Sequence, residues 1–194
     1  SDAIKRCQTL PLVNLLHVTH LGAYPSAPHH YVERKQGVPQ LILIYCLSGK
    51  GVLEMDHSLF PIQQGHVIVI PPDTPHLYRA DLEDPWSLLW VHCDGQQKTE
   101  VPQSLGTNAS RPLLYIPDTD LIRTTFEEIY ACINYHYSNA GLLAMTGELL
   151  RLLSKITLHK NNRQSAKQSV EKRVSETLTF MEQQMPEKAR PYLE

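Results

Sequence analysis

Cysteine is scarce. The four present among 194 residues, at positions 7, 46, 93 and 132, stand too far apart for a zinc knuckle and signal no disulfide framework. A reducing compartment fits that spacing. Long apolar runs are missing too: none approaches the roughly 20 residues that span a bilayer, and no charged-then-apolar leader opens the chain. A soluble, cytoplasmic protein with no membrane partner is therefore expected. Net charge is almost nil, with 18 Lys and Arg against 20 Asp and Glu, and exerts no general pull on a polyanion. If the protein serves DNA, most of the DNA-contacting surface lies elsewhere. No serine occupies a G-x-S-x-G setting, and no cysteine has the helix start or basic neighbour that would activate it, so no nucleophile is assigned. Cys46, inside LILIYCL, reads as a small buried side chain.

What is present falls into two halves with different periods. Between Gln40 and His92 short β-branched and aromatic runs follow one another: LILIYCL from Leu41, VLEM from Val52, SLFPI from Ser58, HVIVI from His66, HLYRA from His76 and WSLLWVH from Trp86. The turns between them leave no room for crossover helices, which points to an antiparallel barrel or sandwich. After Pro117, Asp118-Thr119-Asp120 offers N-cap chemistry, and Ile122, Phe126, Ile129, Tyr130, Ile133 and Tyr137 recur at helical spacing. A second helix is expected from Ser138 to His159. Its stripe of Leu142, Met145, Leu149, Leu152, Leu153 and Ile156 faces away from Glu148, Arg151 and Lys155. This stripe packs on the strands, or it pairs with its copy in a homodimer with the charged residues at the rim, or it does both. Leu143, Leu150 and Leu158 broaden the apolar surface beyond one contact. The division expected is a domain over 1–160, a polar linker over 161–169 and the start of a further helical domain over 170–194, cut short by the end of the chain.

The segment Gly65-x5-Pro71-x-Asp73-x2-His76 resembles the second motif of the cupin barrels, except that Ala80 stands where the motif closes on asparagine. The resemblance implies a cupin-type double-stranded β-helix, so the fold class is α+β: a jelly-roll barrel followed by two dimerisation helices. Metal-dependent cupins draw further ligands from a first motif. With Gly51 as its closing glycine, the glutamate position falls on Ile44 and the histidine positions near Val38, Pro39 and Gln40, so the ligand set is missing and no metal or other cofactor is expected. Strand alternation puts His76, Tyr78 and Ala80 on one face, and Trp86, Leu88 and Trp90 on one face of the next strand. Those side chains either line a pocket for a small polar ligand or simply fill the barrel.

From Arg34 to Gly95 the sequence is similar to the regulatory half of the AraC/XylS family of bacterial transcription regulators. The matching pieces are Arg34, Gly49-x-Gly51, Gly65 to Pro72, Pro75-His76-x-Tyr78, Pro85-Trp86 and Trp90-Val91-His92. The resemblance implies a barrel that binds an effector, often a sugar, helices that dimerise, and DNA contact made only by a separate helix-turn-helix domain. Carried over, Arg34 contacts sugar hydroxyls, Tyr78 and His76 line the pocket, and Trp90 stacks on the ring. Leu88 replaces a polar pocket residue, and His20 stands where the arabinose-responsive pattern has threonine, which argues against arabinose itself. Leu10-Pro11-Leu12 resembles the arm that closes over ligand. Two other readings stay open: a small cupin isomerase or epimerase acting on a sugar, and a purely structural interaction domain.

Overall fold

The structure is a computed structural model that describes residues 2–184, with side chains described through Lys160 and at Val174, Ser175 and Thr177. The chain divides into two units, residues 1–157 and 158–194. The first holds all the strands. In a five-stranded antiparallel sheet, β1 (His17–Tyr24), β8 (Ser87–Asp94), β3 (Leu41–Ser48), β6 (His66–Ile70) and β9 (Leu113–Tyr115) lie in that order. In a four-stranded one the order is β2 (Tyr31–Arg34), β7 (His76–Ala80), β4 (Lys50–Met55), β5 (Ser58–Gln63). This is the cupin-type sandwich that the Gly65–His76 motif implies.

The larger sheet is apolar on both faces, which is why LILIYC runs unbroken instead of alternating. Ile42, Ile44, Ile68, Ile70 and Leu88 point between the sheets and meet Leu53, Met55 and Ile62. Leu41, Leu43, Tyr45, Val67, Val69, Val91 and Cys93 point the other way, onto helices. The family-like pieces Gly49-x-Gly51 and Pro85-Trp86 turn out to be one contact: a Cβ at Gly51 would sit 2.1 Å from the Trp86 ring, so only glycine lets the fully buried indole lie against β4.

The covering helices begin where the capping residues predict. Asp118 Oδ1 accepts from Leu121 N (3.0 Å) at the start of α4 (Thr119–Ala131), and Ser138 Oγ accepts from Gly141 N (3.1 Å) at the start of α5 (Asn139–Gln184). Here α1 (Asp2–Thr9), α2 (Pro11–Leu15) and α3 (Glu100–Leu105) were not foreseen. Two expectations change. The stripe Leu142, Met145, Leu149, Leu152 and Ile156 is buried within this chain, from Met145 to Ile156 among the sheet and α4 residues, and Leu153 is half-buried against the same cluster. It is core, so a second copy has no access to it. The rim charges are likewise engaged at home: Arg151 pairs with Glu128 of α4 and Glu148, and Lys155 Nζ donates to Thr125 Oγ1 at 2.8 Å. The second change is at 161–169, where the backbone is helical and not an irregular tether. That polar run, NNRQSAKQS, contains neither glycine nor proline, so nothing in it stops a helix already formed. Residues 170–184 belong to the same helix, and the remainder of the expected trailing domain lies outside the described residues.

Candidate functional site

A cavity of about 340 Å³ opens at one end of the sandwich, lined by His20 and Tyr24 from β1, Val32 and Arg34 from β2, Val38, Gln40, Tyr78 from β7, and Trp90 and His92 from β8. The size is at the lower end of small-molecule sites, which run about 300–1,000 Å³. Four of the residues expected from sequence, His20, Arg34, Tyr78 and Trp90, meet here. His76 pairs with Arg34 across β2 and β7 but lines a different cleft of about 440 Å³ beside Asp56 and His57. Trp86 and Leu88 lie in the core and line neither. Tyr24, Val32, Val38, Gln40 and His92 are the lining residues that the sequence reading missed.

A β-bulge makes the β1 wall possible. The register with β8 slips between Val18 and His20, so Val18 joins the helix-facing core while His20, Gly22 and Tyr24 turn toward the cavity. Thr19 occupies the slip, and its hydroxyl donates to the carbonyl of His92 (3.2 Å). Opposite Trp90 in this register stands Gly22. A Cβ there would lie 2.6 Å from the indole ring, and its absence lets Trp90 lie flat across β1. Tyr24 stacks on the same indole with centroids 5.9 Å apart, and His92 meets it edge-on at 5.4 Å. The Trp90 Nε1–H is buried and has no partner within the described residues.

Protonation follows from the hydrogen bonds. His76 Nδ1–H donates to the Thr74 carbonyl at 2.7 Å, which leaves Nε2 bare to accept from Arg34 Nη1 at 3.5 Å. Burial, then the Arg34 guanidinium, holds His76 below the ordinary imidazole range. His92 is pushed down to about 4, first by burial and then by Arg34, His20 and His76. Both imidazoles are therefore neutral at pH 7, and Arg34 is the cavity's fixed charge. Because His92 is protonated more readily in the unfolded chain than in the folded one, stability is expected to fall as pH drops from about 6.5 toward about 4. Thermal melts at half-unit pH steps should show this decline, and His92→Phe should flatten it. An unchanged slope in that variant would place the linkage on other buried histidines.

Where the first cupin motif would place metal ligands, Val38 and Gln40 present an isopropyl group and a carboxamide to the cavity wall. Among the described residues no group of three or more His, Cys, Asp and Glu is placed to hold a metal ion. The cysteines are buried, and burial pushes the Cys46 thiol up to about 12, far from the range of a nucleophile. Leu10 packs with Cys7, Val13 and Leu142, and none of residues 2–16 lines the cavity. No helix among the described residues is long and apolar enough to cross a membrane.

Comparison with known proteins gives this geometry its family. The chain is 28% identical over 152 residues to the MmsAB operon regulatory protein of Pseudomonas aeruginosa, covering 76% of this chain and 49% of that one. It is 24% identical over 113 residues to the Msm operon regulatory protein of Streptococcus mutans, covering 58% of this chain and 40% of that one. The chain thus spans about half or less of the length of these curated relatives. A cupin protein from Bacteroides fragilis overlaps 38% of this chain and 62% of its own at 22% identity and a TM-score of 0.30; the fold assignment rests on the two sheets themselves. The model of the AraC-like ligand binding domain matches residues 17–166, from the first strand through the sandwich and well into α5, and the chain belongs to that family.

Proposed function

We propose that this chain is the sensor of a DNA-binding transcription regulator and that it takes a small polar effector, a sugar, into the cavity between β1, β2, β7 and β8. The observation that carries this reading is the Trp90 indole lying flat over Gly22 beside Arg34. An indole face is a platform for the apolar face of a pyranose, and a guanidinium is a forked donor for vicinal oxygens. Tyr78, His20 and Gln40 add donors and acceptors around the same space. The two regulatory relatives support the role in transcription. With a formal charge of −2 the chain has no general attraction for DNA, so the reading assigns DNA contact to another part of the regulator. Calorimetric titration with monosaccharides, disaccharides and aromatic acids tests the effector class: saturable binding of a monosaccharide or its derivative is expected, and binding confined to apolar compounds would overturn it.

The reading also assigns homodimerisation to α5, through a different face from the buried stripe. Leu143 and Leu150 remain 47% and 51% exposed, two turns apart, and Gly147 between them has nothing near its Cβ position. A second copy packing helix to helix would cover them, as a regulator that reads two half-sites requires.

A further inference from the structure

We infer that the effector is a monoanion, a hydroxylated compound bearing a carboxylate that seats on Arg34 while its ring or chain lies on Trp90. This rests on the sensor reading above and narrows it. The cavity wall contains one guanidinium and no aspartate or glutamate. Arg34 takes part in none of the ion pairs found among the described residues; the hydrogen bond its guanidinium makes there goes to the bare nitrogen of His76, at a long 3.5 Å. The nearby carboxylate of Glu33 alternates to the opposite face of β2, where it lies by Lys35 and Tyr31.

A half-buried guanidinium with no counter-ion leaves the hollow electropositive, and the imidazoles around it feel that field. A neutral sugar would leave the charge uncompensated and partly stripped of water. A carboxylate would supply the missing partner with two oxygens matched to the guanidinium fork, and His20 and Tyr78 are further polar groups on the same wall. With His76 and His92 neutral, the one guanidinium on the wall is matched by one negative charge. That count favours a carboxylate over a phosphate, which carries closer to two charges at neutral pH.

The test uses the 194-residue chain and matched pairs: glucose with glucuronate, galactose with galacturonate, and glucose with gluconate, with glucose 6-phosphate and benzoate as further arms. Calorimetry at pH 7 is expected to show the acid of at least one pair binding ten-fold or more tighter than its neutral parent. Arg34→Gln, which keeps a donor and removes the charge, should erase that preference, weakening the acid ten-fold or more beyond whatever it costs the neutral parent. Arg34→Lys should retain part of it. Equal binding of sugar and sugar acid, or an Arg34→Gln loss that is the same for both, overturns the anion inference and leaves the sugar reading standing. Tighter binding of glucose 6-phosphate than of every carboxylate overturns the monoanion. Binding by benzoate alone overturns the hydroxylated skeleton and the sugar reading together, and silence across all arms overturns both proposals.

Discussion

Leu149→Asp is expected to unfold the domain, and Leu150→Asp, one residue along, to leave it folded. Leu149 is fully buried among sheet and α4 residues, whereas Leu150, about 100° further round α5, is 51% exposed. The buried change removes a leucine side chain, a loss of about 2–5 kcal/mol in comparable cores, and adds a carboxylate that has no partner there. A sum above about 5 kcal/mol consumes most or all of the stability of an ordinary domain. Circular dichroism and thermal melting would show no cooperative transition for Leu149→Asp, and a midpoint within a few degrees of the parent for Leu150→Asp. The second variant also reports on assembly. Sedimentation should show a dimer for the parent and a monomer for Leu150→Asp, and a dimer that survives Leu150→Asp places the two-fold contact away from this face. A folded Leu149→Asp would contradict the packing of α5 on the sheet.

Trp90→Ala is expected to weaken binding of the tightest ligand from the sugar and sugar-acid panel by about 100-fold, equivalent to about 2.7 kcal/mol. The indole is partly exposed at the wall of a hollow, so its loss enlarges the cavity without opening the core, and the melting midpoint should shift far less than for a core truncation. Gly22→Val reaches the same end without touching Trp90. Its Cβ would stand 2.6 Å from the ring, so the indole must tilt away, while valine suits an edge strand well. Calorimetry on both variants should show parallel losses. Retained affinity in Gly22→Val would mean that the flat placement of the ring is not what the ligand reads.

The strands of the second half of the sandwich were legible because their punctuation is clean. HVIVI and HLYRA are bounded by glycine and proline on the proper sides, and they end where the sequence says. β1 was not legible: HVTHLGAY mixes polar and apolar residues at a period that the bulge interrupts, so no alternation survives to be counted. β9, three residues long, is held by its partner strand and offers too little sequence to signal anything. Two features were misjudged for reasons that local pattern cannot resolve. An apolar helix stripe does not state what covers it, and here the sheet and α4 do, leaving Leu143 and Leu150 outside. A polar segment with no helix breaker extends a helix that begins before it.

The site was legible to the same depth. Alternation grouped Trp86, just ahead of β8, with Leu88 and Trp90 on one face, but a face is not a position along the strand. Trp86 and Leu88 lie in the packed end of that face, and Trp90 with His92 at the open end, so one tryptophan of the expected pair lines the cavity and the other lies in the core. His92 shares Trp90's parity and could have been included. Gln40, Val38 and Tyr24 come from a strand approach and a bulged edge, where parity gives no guidance.

The bulge at Thr19 makes β1 a composition in two phases. Upstream of it the beat that falls on the helices is the one on Val18; downstream the beat is displaced, and His20, Gly22 and Tyr24 sound toward the cavity. Substitutions along this strand change single notes and leave the meter intact. The loss or gain of one residue beside Thr19 shifts the meter itself, exchanging the audience of every side chain on one side of the break. The strand therefore tolerates changes of length only in pairs, and the identity of the ligand wall is stored as much in the count of residues before Trp90's partner glycine as in which residues they are.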